Sequence, residues 1–467
     1  MPPVSKRQKM HDSYALPRMR ELPGPRGLPL LGTITPFIGK DLLRAFGGLV
    51  AEYGPLFGLR LPFGHRLVMV AHPDGVERVL RSGRKNYVKG SVYDGARILL
   101  GQGLVTSEGE PWQRQRGLAN AAFRPTKLAQ YLTLMADSTA GLLADWHAAS
   151  QVISINIQRE MTRLTLSIVG RTLFGLDLGM QHERAAEAFG AALQAIGRRG
   201  PGLLQVPLWL PTPANMRFRS TLNELDQMIY GVIREFRAGR AENADRTLLS
   251  AYIESRDPET GARMGDRQLR DEIITLYLAG HETTASLLAW TLYQLSRHPE
   301  IQARVRDEID AELTDQQPTF EQLKALQYTS QVINEVLRLY PPAWTVARNA
   351  IHEDAIMGYR MAAGAIVTVS PYFAHRLAEF WPEPSRFDPE RFTPAAIAGR
   401  HPFAYLPFSL GPRICIGMQF ALYEARLVLG MLLREFEVHT TGGPEVGTCA
   451  LGTLRPDGEL RVLLRPR

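Results

Sequence analysis

A long proline-free stretch from Asp266 to His298 constrains the fold more than any other part of this sequence. Its apolar side chains recur at helical spacing, at Leu269, Ile273, Ile274, Leu276, Leu278, Leu287, Leu288 and Leu292. At about 1.5 Å per residue, the predicted helix is roughly 50 Å long, which is enough to cross the middle of a domain. The stretch therefore predicts a mainly α-helical protein built around one central helix.

The centre of this predicted helix is polar. The segment Ala279 to Thr284 places a glycine and four polar residues inside the apolar run, and buried polar groups need a partner or a purpose. His281 and Glu282 begin like a zinc-protease signature, but that signature needs a second histidine where this chain has Ala285. What remains is an acid beside an alcohol, Glu282 and Thr283, a pair suited to relaying protons or holding a bound oxygen.

Other segments predict small β-sheets. The alternation of apolar residues from Leu56 to Val70 predicts a hairpin, and a helix is expected from Pro73 to Ser82. Ile366 to Val369 predicts a further strand. Because no internal repeat or low-complexity linker divides the chain, we predict a single large domain that is mainly α with small β-sheets.

The positive charge is concentrated near the N-terminus. The chain has 54 Lys and Arg against 47 Asp and Glu, a net charge of +7, and residues 1–26 contribute six basic and two acidic residues, or +4. The proline- and glycine-rich segment Leu22 to Pro29 marks where the folded body begins. We therefore predict a flexible basic tail over residues 1–21 and one domain over residues 22–467, with no nucleic acid partner.

The cysteine content and the apolar runs indicate the compartment. Two cysteines cannot form a disulfide framework, which favours a reducing environment. The longest aliphatic run, Leu427 to Leu433, is far shorter than the ~20 residues that cross a bilayer, and the N-terminus has no signal-peptide core. We therefore expect a cytoplasmic protein without an integral membrane anchor.

The segment from Phe408 to Gly417 is the most specific in the sequence. It places Cys415 between two glycines, directly before an apolar helix predicted from Met418 to Phe436. Free N–H groups and the dipole at a helix N-terminus favour a thiolate over a thiol. The sequence therefore predicts a metal-bound thiolate at Cys415, whereas Cys449 has no such context and is expected to be structural.

Several spaced patterns together match one known family. The pattern F-x-x-G-x-R-x-C-x-G is met in full by Phe408, Gly411, Arg413, Cys415 and Gly417. The other matches are W-x-x-x-R at Trp112 and Arg116, A/G-G-x-D/E-T-T/S at Ala279 to Thr284, E-x-x-R at Glu335 and Arg338, Arg348 after two prolines, and Arg391 in Pro389-Glu-Arg-Phe392. Over residues 22 to 465 the chain resembles the cytochrome P-450 family of haem-thiolate monooxygenases.

The resemblance implies roles for individual residues. Cys415 resembles the axial ligand of the iron in haem b, and Phe408 the residue that packs beside it. Thr283 resembles the alcohol that hydrogen-bonds dioxygen, Glu282 the acid that supplies protons, and a local widening of the helix is expected around Gly280. The donors to the two haem propionates are expected to be Trp112, Arg116, Arg348 and Arg413. A buried structural ion-pair triad is expected from Glu335, Arg338 and Arg391.

The resemblance also implies which residues line a substrate pocket, because they occupy the positions that do so in the family. The residues expected to line it are Tyr93, Leu99, Val105, Ala279, Trp344 and Val346. Nearly all of these side chains are apolar, which favours a hydrophobic small molecule without a charge anchor. The segment from Gly202 to Pro211 falls where the family has a mobile lid.

The resemblance implies a monooxygenase that uses O2 as co-substrate. Electrons are expected from NAD(P)H through a ferredoxin or flavodoxin with its reductase, docking on a basic face that includes Arg114. We expect a monomer that acts in secondary metabolism on a terpenoid or another natural product, with a fatty acid next in order. Two alternatives remain: a peroxide-driven peroxygenase, and a non-catalytic sensor that binds haem or a hydrophobic ligand. The Glu282–Thr283 pair disfavours both, because neither needs proton delivery to dioxygen.

Overall fold

Helices make up most of the chain. The computed structural model describes residues 19–33, 35–38, 41–149, 151–175, 208–239, 247–254, 256, 261–450 and 452–467. The helices in this part of the chain are α1 Leu42–Tyr53, α2 Pro73–Glu77, α3 Asp94–Leu100, α4 Gly109–Ala122, α5 Pro125–His147, α6 Ile157–Phe174, α7 Pro213–Arg237, α8 Leu248–Glu254, α9 Asp266–Arg297, α10 Pro299–Glu312, α11 Phe320–Ala325, α12 Gln327–Leu339, α13 Pro371–Ala374, α14 Pro394–Ala398 and α15 Met418–Glu435. The predicted mainly α fold is confirmed.

The strands are short and form four small sheets among the described residues. They are β1 Leu56–Arg60, β2 Arg66–Val70, β3 Tyr87–Val88, β4 Ile153–Asn156, β5 Val346–Ala350, β6 Asp354–Ile356, β7 Tyr359–Met361, β8 Ile366–Val369, β9 Phe436–Thr440, β10 Gly447–Ala450, β11 Leu454–Asp457 and β12 Arg461–Pro466. The largest sheet has the order β1-β2-β8-β5-β3, and the others are β4-β12-β9, β6-β7 and β10-β11. Among the pairs of named strands in this part of the chain, only β2–β8 is parallel. The predicted hairpin is the antiparallel pair β1–β2, and the predicted strand is β8.

The central helix α9 runs where the sequence predicted it, within one residue at its end. Most of its side chains are buried, and it packs mainly against α6. At Gly280, a Cβ atom would lie 3.3 Å from Val169 Cγ2 of α6, so the glycine allows the two helices to approach closely. Because α9 is α-helical over its whole length, the local widening expected at Gly280 does not take the form of a π-helical turn.

The hydrophobic core is divided into three clusters. The largest surrounds the C-terminal half of α9, together with α5, α12 and α15. The second lies under the N-terminal half of α9 and includes α7 and α8. The third fills the space beneath the five-stranded sheet. The polar centre of α9 therefore lies between two apolar clusters.

The N-terminal boundary of the predicted domain differs slightly from expectation. Residues 1–18 of the predicted tail lie outside the described residues. Arg20, which the sequence analysis placed in the tail, forms a bridge to Tyr359 of β7 and stacks on its ring at 4.6 Å. The folded contacts therefore begin before residue 22.

At the predicted lid, residues 202–207 lie outside the described part, and Trp209 is 73% exposed.

No helix in the described part of the chain is long and apolar enough to span a bilayer.

Candidate active site

The segment around Cys415 is a tight loop that delivers the thiol to the start of α15. The Cys415 N–H donates to the Phe408 carbonyl at 2.9 Å, which closes the loop. Gly411 has φ of +69°, and a Cβ atom there would lie 2.3 Å from the Leu80 carbonyl oxygen, so no other residue fits. Gly417 then forms the N-terminal boundary of α15.

The surroundings of the Cys415 thiol act on its pKa in opposite directions. The thiol is accessible to a water-sized molecule, yet protein atoms surround it closely enough for burial to raise the pKa of the thiol. The Gly417 and Met418 N–H groups donate to the sulfur, and these donors and the Arg116 charge lower the pKa. In the protein alone, desolvation outweighs these donors, so the thiolate predicted at Cys415 stays a prediction for the metal-bound state. A metal cation at the sulfur reverses that balance.

Two of the three arginines predicted to bind the propionates are held beside this loop. Arg413 stacks on the Trp112 ring of α4, with Cζ 3.9 Å from the ring centroid. Its guanidinium also donates to Glu108 at 2.7 Å and to the Ser107 carbonyl at 2.9 Å. Arg116 lies one turn after Trp112 and donates to the Ile414 carbonyl at 2.8 Å, directly beside Cys415.

The third predicted arginine donor enters from the five-stranded sheet. Arg348 lies in β5 opposite Val367 of β8 and is only 5% exposed. Its Nη1 donates to the Ala347 carbonyl at 2.8 Å and lies 3.4 Å from the Tyr93 hydroxyl. These contacts leave the guanidinium charge without a carboxylate partner among the described residues.

The acid of the predicted acid–alcohol pair has partners that the sequence did not reveal. Glu282 Oε1 accepts a hydrogen bond from Thr453 Oγ1 at 2.5 Å and one from Arg455 Nε at 3.0 Å, and Arg455 Nη2 also contacts it. The Glu282 side chain is 15% exposed. The carboxylate is therefore held by the β10–β11 hairpin near the C-terminus.

The alcohol of the pair is turned back onto its own helix. Thr283 Oγ1 donates to the Ala279 carbonyl at 2.7 Å, a bond that satisfies the hydroxyl within α9. Ala279 itself is exposed, so this side of α9 borders open space. His281 points elsewhere: its ring is buried, Nδ1 lies 2.7 Å from the Tyr277 carbonyl, and burial lowers its pKa.

The predicted pocket residues divide into two groups. Tyr93, Val105, Ala279 and Val346 are partly or well exposed. Leu99 and Trp344 instead lie in the core: Leu99 is completely buried in the second cluster, and Trp344 is 5% exposed and packs near Phe46. These two side chains therefore differ from the prediction, because packing against neighbouring elements leaves them no open surface.

The predicted ion-pair triad is assembled at the end of α12. Glu335 and Arg338 are completely buried and form a bidentate pair, with both N–O distances at 2.7 Å. Arg391 Nε lies 3.6 Å from Glu335 Oε1, and the Asp388 N–H donates to the same oxygen at 2.9 Å. Arg338 also donates to three backbone carbonyls, at His375, Pro384 and Arg386. The triad thus fixes the loop after α13.

Some residues approach the site from distant parts of the chain and could not be predicted from the sequence. Arg455 and Thr453 hold Glu282, and neither belongs to a recognisable pattern. Lys89 is 8% exposed and lies near Arg413 and Arg348. The only signal for Lys89 is its position just after a short strand, which is too weak to predict a role.

Comparison with known proteins identifies the family. The family model described as Cytochrome P450 matches residues 22–462. The chain is 34% identical to pentalenene oxygenase of Streptomyces avermitilis, over 95% of this chain and 97% of that protein. It is 35% identical to cyclooctat-9-en-7-ol 5-monooxygenase of Streptomyces melanosporofaciens, over 90% of each. The crystal structure of the cytochrome P450DA heme domain superposes with a TM-score of 0.85 at 27% identity, covering 96% of this chain and 98% of that one.

The chain therefore belongs to the cytochrome P450 family and is a monooxygenase. Members of the family use haem and O2 and take electrons from a redox partner. The residues described above fit a haem: an accessible cysteine sulfur receives two backbone N–H groups, and nearby arginines carry charge that no carboxylate of the described chain fully offsets.

Proposed function

We propose that this monooxygenase inserts one oxygen atom of O2 into a terpenoid or a similar hydrophobic natural product, with a fatty acid as the next choice. The observation that carries the proposal is the accessible Cys415 sulfur at the start of α15, bordered by cationic donors. The apolar side chains of Val105, Ala279 and Val346 favour a substrate without charge. Similarity to proteins named pentalenene oxygenase and cyclooctat-9-en-7-ol 5-monooxygenase also supports a terpenoid.

The proposed cofactor arrangement follows the donors around Cys415. Cys415 would bind the iron of haem b, Phe408 would shield the sulfur, and the propionates would meet Trp112, Arg116, Arg348 and Arg413. When bound, haem supplies the activation of O2 with two electrons and two protons. The electrons are proposed to come from NAD(P)H through a ferredoxin or flavodoxin that docks near Arg114, with the enzyme acting as a cytoplasmic monomer.

Glu282 and Thr283 are proposed to relay the two protons that the reaction uses. The Glu282 carboxylate is anchored at Oε1 by Thr453 and Arg455, while Oε2 is left to hold a proton or a water. The Thr283 hydroxyl needs only to leave the Ala279 carbonyl to face the space beside α9. An anchored acid beside a rotatable hydroxyl can relay protons.

The substrate class can be tested with labelled oxygen. With NAD(P)H, a ferredoxin and its reductase under ¹⁸O2, the enzyme should convert a cyclic terpene into a product that carries one ¹⁸O atom. The same terpene should shift the haem absorption band on binding, more strongly than a fatty acid or a steroid does. Equal product formation from hydrogen peroxide without O2 would support the peroxygenase alternative, and ligand binding without any product would support the sensor.

The role of Thr283 gives a separate prediction. Thr283→Ala should keep haem and substrate binding but divert most of the electrons to hydrogen peroxide, because the hydroxyl that guides proton delivery is lost. We expect the fraction of electrons recovered in product to fall about tenfold, measured as product formed per NAD(P)H consumed. Thr283→Ser retains the hydroxyl and should stay close to the parent enzyme. Unchanged coupling in the alanine variant would remove Thr283 from this role.

A further inference from the structure

A surface cleft lies apart from the proposed haem site. It has a volume of about 500 Å³ and is formed where the end of α9 meets α10, the end of α12, the loop after α13 and the loop before β10. This volume is in the range of small-molecule sites. None of the residues proposed to contact haem, oxygen or substrate lines the cleft, so it is a separate feature of the surface.

The most deeply buried polar side chain of the cleft has an unused acceptor. Gln294 is 2% exposed, and its Nε2 donates to the Tyr340 hydroxyl at 2.7 Å and lies 3.4 Å from Glu445 Oε1. Burial, followed by the Glu445 charge, raises the pKa of Tyr340, so the hydroxyl keeps its proton and donates to Glu445 at 3.2 Å. Among the described residues, no donor reaches Gln294 Oε1. A buried amide oxygen without a donor costs free energy that a ligand can restore.

A second acceptor lies beside this amide. His298 Nδ1 is 2.9 Å from the Gln294 carbonyl oxygen, which can only accept, so Nδ1 carries the proton and Nε2 of the neutral ring is an acceptor. Apolar side chains complete the inner wall: Ile301, Leu339 and Phe387 line the cleft, and each is no more than 8% exposed. The inner wall therefore offers acceptors beside hydrocarbon surface.

The charges of the cleft do not balance. Four carboxylates and two arginines line it, which leaves an excess of two negative charges when the histidine is neutral. Arg304 pairs with Glu390 at 2.9 Å, and the other arginine pairs with an acid outside the cleft. Within the described ranges, three lining carboxylates have no basic side chain at ion-pair distance, those of Glu300, Asp388 and Glu445. No three His, Cys, Asp or Glu side chains of the described chain are grouped to hold a metal ion, which disfavours a metal as the countercharge.

We propose that the cleft binds an aliphatic diamine or polyamine, a ligand outside the monooxygenase reaction. One ammonium group donates to Gln294 Oε1 and to Glu445, and a second donates to Glu300 or Asp388 at the rim. The methylene chain between them lies against the apolar inner wall. Such a ligand supplies only donors to a cleft that offers unused acceptors, and its two charges equal the excess negative charge of the lining.

Calorimetric titration of the haem-loaded enzyme with spermidine tests the proposal. We expect one spermidine to bind per chain with a Kd of about 1 mM or tighter, and butylamine, which has one charge, to bind at least about tenfold more weakly. Butane-1,4-diol, which has no charge, should not bind. Because an amine can also bind the haem iron, the haem absorption spectrum is recorded during the titration, and it should stay unchanged.

Variants locate the binding. Glu445→Gln and Glu300→Gln should each weaken spermidine binding about tenfold, because an amide replaces a charged acceptor. Both side chains are exposed, so neither change should disturb folding. Gln294→Met keeps the side-chain size, removes the buried acceptor and should weaken binding by a similar factor. Glu312→Gln is the matched control, because Glu312 is exposed on α10 outside the cleft, and it should bind spermidine like the unaltered chain.

Three outcomes would overturn the proposal. The first is a titration that does not saturate at about ten times the expected Kd. The second is equal weakening in Glu445→Gln and in the Glu312→Gln control, or no weakening in either, which would show diffuse attraction to an acidic surface. The third is a heat of binding that appears only together with a shift of the haem absorption band, which would place the amine on the iron.

Discussion

Cys415→Ala is expected to abolish the red-shifted carbon monoxide band of the reduced protein and to reduce oxygen insertion to background. The sulfur is the group that the loop from Phe408 to Gly417 presents at the start of α15, and an alanine there leaves the iron without a thiolate. The spectrum of the reduced protein with carbon monoxide measures the first effect, and product formation measures the second.

The second cysteine provides a matched control. Cys449 lies in β10, is only partly exposed and has no place in the proposed haem site. Cys449→Ala should keep both the band and the turnover. If the band survived in Cys415→Ala and disappeared in Cys449→Ala, the ligand assignment would be reversed.

Glu335→Gln is expected to lower the free energy of unfolding by about 3–5 kcal/mol. The neutral amide leaves the Arg338 guanidinium without its bidentate carboxylate, and both side chains are completely buried. It also removes the charge that faces Arg391 at 3.6 Å. Urea unfolding of the haem-loaded protein, followed by circular dichroism, measures the loss.

An exposed pair of the same spacing provides the comparison. Glu383 and Arg386 are also three residues apart, with N and O atoms 3.2 Å apart, but their side chains are 71% and 64% exposed. Glu383→Gln should change the free energy of unfolding by no more than about 0.5 kcal/mol, because water screens the pair. Equal losses in the two variants would mean that burial of the triad contributes nothing special to stability.

The sequence predicted best where the relevant residues are neighbours along the chain. The central helix and the cysteine loop were both correct in position, because helical periodicity and glycine geometry are local properties. At Cys415 the local pattern reveals the N–H donors that lower the pKa of the thiol, but not the desolvation by the surrounding protein that raises it. Burial of Leu99 was missed for the same reason.

Partners brought together by the fold could not be predicted. Arg455 reaches Glu282 across 173 residues of sequence, and Arg413 reaches Glu108 across 305. No periodicity or spacing rule relates such positions. Lys89 illustrates the same limit, because its surroundings consist of side chains from a sheet, a short helix and the cysteine loop.

The anchoring of Glu282 by the β10–β11 hairpin also has a consequence for the order of events during synthesis of the chain. A ribosome releases the chain from its N-terminus, so α9 emerges long before Thr453 and Arg455. The last strand, β12, then pairs with both β4 and β9 and completes a sheet begun near residue 153. Glu282 therefore gains these two partners only after Arg455 has been synthesised.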